Sequence, residues 1–177
     1  KKYPENSYTY NLCGLALQGE KKFSNSIEYF SKALHYDSEN LAAMNNLANS
    51  YKTLYYYDKA QDLYLKIIKK DPLNLKTLNN YANLKRTWND FDGAIDLYLK
   101  ATKINPEEIN ILFSLADSYQ SIGDFKKSRE VINRILKIDP NKTSAHKLIS
   151  GFTNYHEGNK EHLDTMKNLL SKSDLTN

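Results

Sequence analysis

An all-α solenoid of stacked helical hairpins is the fold this sequence predicts, and three observations predict it. A pattern of apolar and small residues recurs every 34 residues, with no insertion or deletion from about residue 7 to 142. Within each period the apolar residues fall at three- and four-residue steps, the spacing that lines one side of a helix. Each period then closes with Ser38, Pro72, Pro106 or Pro140. A period of this length marks units that cannot bury an apolar face alone and so stack on their neighbours.

Each unit opens with one of Tyr10-x2-Cys13-Gly14, Met44-x2-Leu47-Ala48, Leu78-x2-Tyr81-Ala82 and Leu112-x2-Leu115-Ala116. These lie in first helices predicted over 7–20, 41–54, 75–88 and 109–122. The second helices, over 24–36, 58–70, 92–104 and 125–138, carry Ser26-x3-Phe30, Ala60-x3-Tyr64, Ala94-x3-Tyr98 and Ser128-x3-Ile132. The small residues let two helix backbones approach, and the large ones fill the space beside them. Asp58 and Gln61 have capping-box spacing before the second helix of unit two. Pro72 stops that helix, because proline lacks an amide donor and biases the residue before it away from helix. The repeats therefore span 7–40, 41–74, 75–108 and 109–142, within one domain covering 1–177. Beyond Pro140 the pattern decays. A divergent pair over 143–156 and 160–172, with His146, Ile149 and Ser150 in the expected slots but His162 where a small residue is expected, is read as shielding the open end.

The four in-phase copies resemble the tetratricopeptide repeat, a helix–turn–helix unit with W-x2-L-G-x2-Y, then A-x3-F, then P. The likeness implies a right-handed superhelix whose first helices line its concave side. Tyr10, Met44, Leu78 and Leu112 replace the tryptophan, and Lys85 stands where units one, two and four have Leu17, Tyr51 and Tyr119. A lysine there is expected to lay its stem on apolar surface or to loosen the third unit.

Composition removes several function classes. The net charge of +4, from 25 basic and 21 acidic residues in mixed order, lacks the concentrated basic stripe of a nucleic-acid binder. No run approaches the length a membrane span requires, and the N-terminal residues lack a signal-peptide core. The missing initiator Met suggests a piece of a longer chain. A cytoplasmic location is expected. Cys13, the single cysteine, rules out an internal disulfide framework; it shares its slot with Leu47, Tyr81 and Leu115 and is expected in the core. The glycines form no phosphate loop. His146, His156 and His162 do not share one helical face, so neither a metal nor a cofactor is expected, and no catalytic constellation is found.

The functional signal lies on the first helices of units two and three, Asn45-Asn46-Leu47-Ala48-Asn49 and Asn79-Asn80-Tyr81-Ala82-Asn83. Asn45 and Asn49 share a face, with Lys52 and Arg86 one turn further along their helices. By the resemblance, Asn45, Asn46, Asn49, Lys52, Lys76, Asn79, Asn80, Asn83 and Arg86 look into the groove. An asparagine amide both donates and accepts, which suits the N–H and C=O of an extended peptide; the cations add a preference for acidic groups. Asn46 and Asn80 are similar to rungs of the asparagine ladder in the O-linked N-acetylglucosamine transferase superhelix. The carboxylate clamp of chaperone-binding tetratricopeptide domains is matched only at Asn46 and Lys76, or at Asn49 and Asn80 in the alternative alignment. Asn11, Leu15 and Asn80, or Asn45, Asn110 and Ser114, replace its other members. The expected function is thus a non-enzymatic scaffold that binds a protein or peptide. Two alternatives are a non-catalytic segment of a sulfotransferase-like or glycosyltransferase enzyme, and a spacer that self-associates through its ends.

Overall fold

The structure, a computed structural model, describes residues 6–151 and 160–173, and every regular element among them is helical. It falls into two compact units, Lys1–Ile104 and Asn105–Asn177. The first contains three hairpins: α1 (Ser7–Gly19) with α2 (Phe23–Tyr36), α3 (Leu41–Thr53) with α4 (Tyr57–Lys70), and α5 (Leu75–Thr87) with α6 (Phe91–Ile104). The second contains α7 (Ile109–Ser121) with α8 (Phe125–Ile138), then α9 (Thr143–Ser150) and α10 (Lys160–Ser173). The stretch 151–156 of the expected ninth helix lies, from residue 152 onward, outside the described residues.

Asparagine starts the first helices α1, α3 and α5. Asn6, Asn40 and Asn74 each accept a hydrogen bond from the backbone N–H three residues on, at 2.9, 2.9 and 3.1 Å, satisfying one of the donors that every helix start leaves open. The turns inside the hairpins also repeat. Lys21, Tyr55, Asn89 and Gly123 all have positive φ, between 59° and 80°, so one left-handed residue reverses the chain each time. Only Gly123 takes that conformation without a side-chain penalty.

The small residues sit where the repeat predicts. Ala48, Ala60, Ala82, Ala94, Ala116, Ser26 and Ser128 are fully buried, as are Phe30, Tyr64, Tyr98 and Ile132. Lys85 is anchored rather than loosening: its ammonium pairs with Asp90 at 2.8 Å and lies over the Tyr81 and Trp88 rings. Two local expectations need correction. Asp58 does not cap α4, which starts at Tyr57 without a side-chain cap; Gln61 instead accepts from the Tyr81 hydroxyl at 3.2 Å. The neighbouring Tyr57 is half-buried, edge-on to Trp88. Cys13 is exposed. Its counterparts Leu47 and Tyr81 are buried on α3 and α5, which pack against the preceding second helices α2 and α4; α1 has no such helix before it among the described residues.

Candidate functional site on the first-helix layer

In the first unit α1 packs on α3 and α3 on α5, so the first helices form a continuous layer carrying every residue of the predicted face. The structure sorts those residues into two depths. Asn45 and Asn46 are 3% and 4% exposed, which corrects the expectation that their amides open onto a groove. The Asn46 amide donates to Asn11 Oδ1 at 3.0 Å and accepts from Lys76 Nζ at 3.3 Å. Asn80 Nδ2 likewise donates to Asn45 Oδ1 at 3.1 Å, and Thr77 Oγ1 donates to the same oxygen at 3.3 Å. The two rungs are one geometry repeated: an amide in one unit reaches the residue 35 positions earlier in the unit before. The buried amides join neighbouring hairpins to each other. Asn11, itself buried, belongs to this ladder; its signal was an asparagine spacing one longer than the repeat.

Asn49 and Asn83 lie nearer the surface, half-buried, and each has a structural duty. The Tyr64 hydroxyl donates to Asn49 Oδ1 at 2.6 Å, and the Tyr98 hydroxyl donates to Asn83 Oδ1 at 2.7 Å. A tyrosine in that enclosed slot needs an acceptor. Burial holds the Tyr64 hydroxyl above the usual tyrosine range, so its proton stays available to donate. The sequence shows the same logic. Where the slot holds Phe30 or Ile132, the residue fifteen positions earlier is Leu15 or Asp117; where it holds Tyr64 or Tyr98, it is Asn49 or Asn83. Each hydroxyl takes one of the two lone pairs of its amide oxygen and leaves the Nδ2 group uncommitted.

Lys52 and Arg86 are half-buried one turn further along α3 and α5. In their slot units one and four carry Gln18 and Gln120, which reach serines. Gln18 Nε2 donates to Ser50 Oγ at 2.7 Å, Ser50 in turn shares a hydrogen bond with buried Ser26, and Gln120 Nε2 donates to Ser128 Oγ at 3.2 Å. Opposite Lys52 and Arg86 stand Ala60 and Ala94, which offer no such acceptor. Burial holds the Lys52 ammonium below the usual lysine range. Lys76 is exposed at its end of α5, and Asn79 and Asn80 are half-buried beside it.

His146 and His162 meet across α9 and α10, Nδ1 to Nε2 at 3.1 Å, with the rings stacked; His156 lies outside the described residues. His146 Nε2 is 2.9 Å from the Pro140 carbonyl. A carbonyl only accepts, so that nitrogen donates and His146 Nδ1 is left to receive the proton of His162. Burial, and then the neighbouring His146, hold His162 below the usual histidine range. A base depressed in the folded state binds protons more readily when unfolded. The pair's stabilisation is therefore complete above the ordinary histidine pKa of about 6.5 and is lost as pH falls from there toward the lower folded value. Thermal unfolding at neutral and mildly acid pH is expected to show this acid sensitivity, and His162→Gln is expected to reduce it. Equal pH dependence in both proteins would remove the pair as its source.

Among the described residues no group of three or more His, Cys, Asp or Glu side chains is placed to hold a metal ion, and no helix is long and apolar enough to cross a membrane. Residues 89–150 match the tetratricopeptide repeat family. A comparison with curated proteins by sequence finds no match. Among solved structures, MamA (residues 41 to the end) from Desulfovibrio magneticus RS-1 superposes with a TM-score of 0.80 at 10% identity, covering 97% of each chain. A second MamA crystal structure gives 0.77 at 19% identity, covering 91% of this chain and 94% of that one. Pseudomonas aeruginosa PilF gives 0.79 at 20% identity over 94% and 75%. At such identities these likenesses show the fold.

Proposed function

We propose that this chain of tetratricopeptide repeats is a non-catalytic scaffold that holds an extended polypeptide along the first-helix layer of its first unit. The observation that carries the reading is the half-exposed polar row of Asn49 and Lys52 on α3, repeated as Asn83 and Arg86 on α5 and extended there by Asn79 and Asn80, on one layer. Asparagine is a poor helix former, about half a kcal/mol worse than alanine. Asn79 has no structural partner in the described network to account for it. Equivalent groups one repeat apart meet successive segments of an extended chain in the same way, while the buried Asn11–Asn46 and Asn45–Asn80 rungs fix the spacing between them. Lys76 closes the row at the N-terminal end of α5 and is tied back to Asn46.

Selection of binders from a random peptide display library, followed by affinity measurement on purified protein, tests this. Lys52→Ala and Asn79→Ala are each expected to weaken the selected peptides about tenfold, near 1.4 kcal/mol, with the thermal midpoint unchanged. Selected peptides that bind both variants as tightly as the parent would sink the assignment.

A further inference from the structure

We propose that the turn edge of the second and third hairpins, around Tyr55, Tyr56, Tyr57 and Trp88, is a second docking surface, and that it takes a proline-rich segment of a partner protein. The site lies off the first-helix layer and is independent of the groove reading.

Two tyrosines stand here in positions that suit them badly. Tyr55 holds the left-handed position of its turn, at φ 65°, where a side chain is disfavoured and glycine or asparagine least so. Tyr56 holds the position before α4, where a short acceptor would cap the helix, and it makes no cap. The third and fourth units fill the same two positions with Asn89-Asp90 and Gly123-Asp124. Asp90 and Asp124 accept from the N–H groups of Gly93 and Lys127, each at 3.0 Å. The first unit, with Lys21 and Lys22, also lacks the cap but puts no aromatic ring there. Burial does not explain the tyrosines, since Tyr55 and Tyr56 are 78% and 52% exposed. Residues that weaken their own turn and cover no core are there for what they present outward.

What they present is a ridge of rings. Tyr55 is edge-on to Tyr57 and Tyr57 edge-on to Trp88, with centroids 5.9 Å apart at both steps. Tyr56 is edge-on to Tyr51 at 6.1 Å, a second pair rooted in the same turn. The hydroxyls of Tyr55, Tyr56 and Tyr57 and the Trp88 indole N–H have no hydrogen-bond partner among the described residues. Rings edged with uncommitted donors match a polyproline II segment. Its prolines offer flat ring faces and backbone carbonyls but no N–H, and it is extended before it binds, so little ordering entropy opposes docking. Charge narrows the partner further. Lys59 lies over the Tyr51 and Tyr56 rings, and Lys85 over Trp88, so a cationic ligand would meet like charge where it would seat. Asp90 pairs with Lys85 at 2.8 Å, and Asp58 adjoins Lys59 in the chain, which leaves little surplus for an anion. A neutral, acceptor-rich chain complements this edge.

Titration with an acetylated proline decamer, followed by the fluorescence of Trp88, tests the assignment; Trp88 is the only tryptophan and belongs to the ridge. Saturable binding is expected, about tenfold or more tighter than to a glycine–serine decamer. The informative variant is Tyr55→Asn with Tyr56→Asp, which installs the pair that the third unit already uses. It is expected to weaken the proline decamer about tenfold while raising the thermal midpoint, because the strained turn is relieved and α4 gains a cap. No saturable response to the proline decamer, or equal affinity in the variant, overturns the site. A lower thermal midpoint in the variant also overturns it, by showing that the two rings hold the hairpin together. Equal or tighter binding of maltohexaose or of a thymidine oligonucleotide overturns the assigned partner. Loss of proline binding in Asn79→Ala does so as well, by placing the ligand on the first-helix layer.

Discussion

Replacing Asn46 by leucine is expected to cost the first unit about 2 kcal/mol, and replacing Asn11 in the same protein is expected to recover much of it. The reasoning begins with burial. Asn11 and Asn46 are 8% and 4% exposed and share one hydrogen bond at 3.0 Å. Asn46→Leu leaves the Asn11 oxygen without its donor in a nearly dry contact, at a cost of about 1–3 kcal/mol. It also removes the acceptor of Lys76, a minor loss because that lysine is exposed. Asn11→Leu strands the Asn46 amide in the same way. When both are leucine, no polar side-chain group of the rung remains unsatisfied and the apolar pair keeps the same branched shape, which can be close to neutral. The coupling in a double-mutant cycle should therefore be at least about 1 kcal/mol. Trp88, the only tryptophan, belongs to the same unit, so its fluorescence during urea unfolding reads the relevant transition. Strict additivity of the two substitutions would show that the rung does not couple the first two hairpins.

That cycle also separates what the sequence made legible from what it hid. Helix boundaries are legible because they depend on local chemistry repeated four times, and observed ends differ by at most one residue from those expected over the four repeats. The small slots are equally readable, since close backbone approach demands them wherever the register recurs. Side-chain depth is not local. Asn45 and Asn49 share a face by periodicity, yet one is closed over by the next hairpin and the other is not, because depth depends on the neighbour's side chains. Cys13 fails for the same reason: its slot is core only where another helix covers it. The Tyr64–Asn49 and Tyr98–Asn83 bonds were present in the sequence as a correlated pair of slots, but a hydroxyl's need for an acceptor shows its target only once the helices are packed. The His146–His162 contact spans two helices, so helical spacing alone gave no hint of it.

Gly14 is expected to tolerate no β-branched replacement: Gly14→Val should cost about 3 kcal/mol, at the upper end of overpacking penalties. A Cβ at Gly14 would stand 2.4, 2.6 and 2.8 Å from three atoms of the Phe30 ring, which is fully buried. The ring has nowhere to go without moving its neighbours. Alanine at the equivalent slots, Ala48 and Ala82, coexists with Tyr64 and Tyr98, whose rings are tethered through their hydroxyls to Asn49 and Asn83. Phe30 has no such tether and lies over Gly14 instead. The helix preference for alanine over glycine, about 1 kcal/mol, offsets part of the clash in Gly14→Ala, leaving a net loss near 1 kcal/mol. In a Phe30→Leu background, where the obstructing ring atoms are gone, the same Gly14→Ala change should become neutral or stabilising. Thermal unfolding of the four proteins in that cycle decides the matter: a Gly14→Ala penalty that persists in the Phe30→Leu background would mean that contacts other than the Phe30 ring set the glycine requirement in the first hairpin.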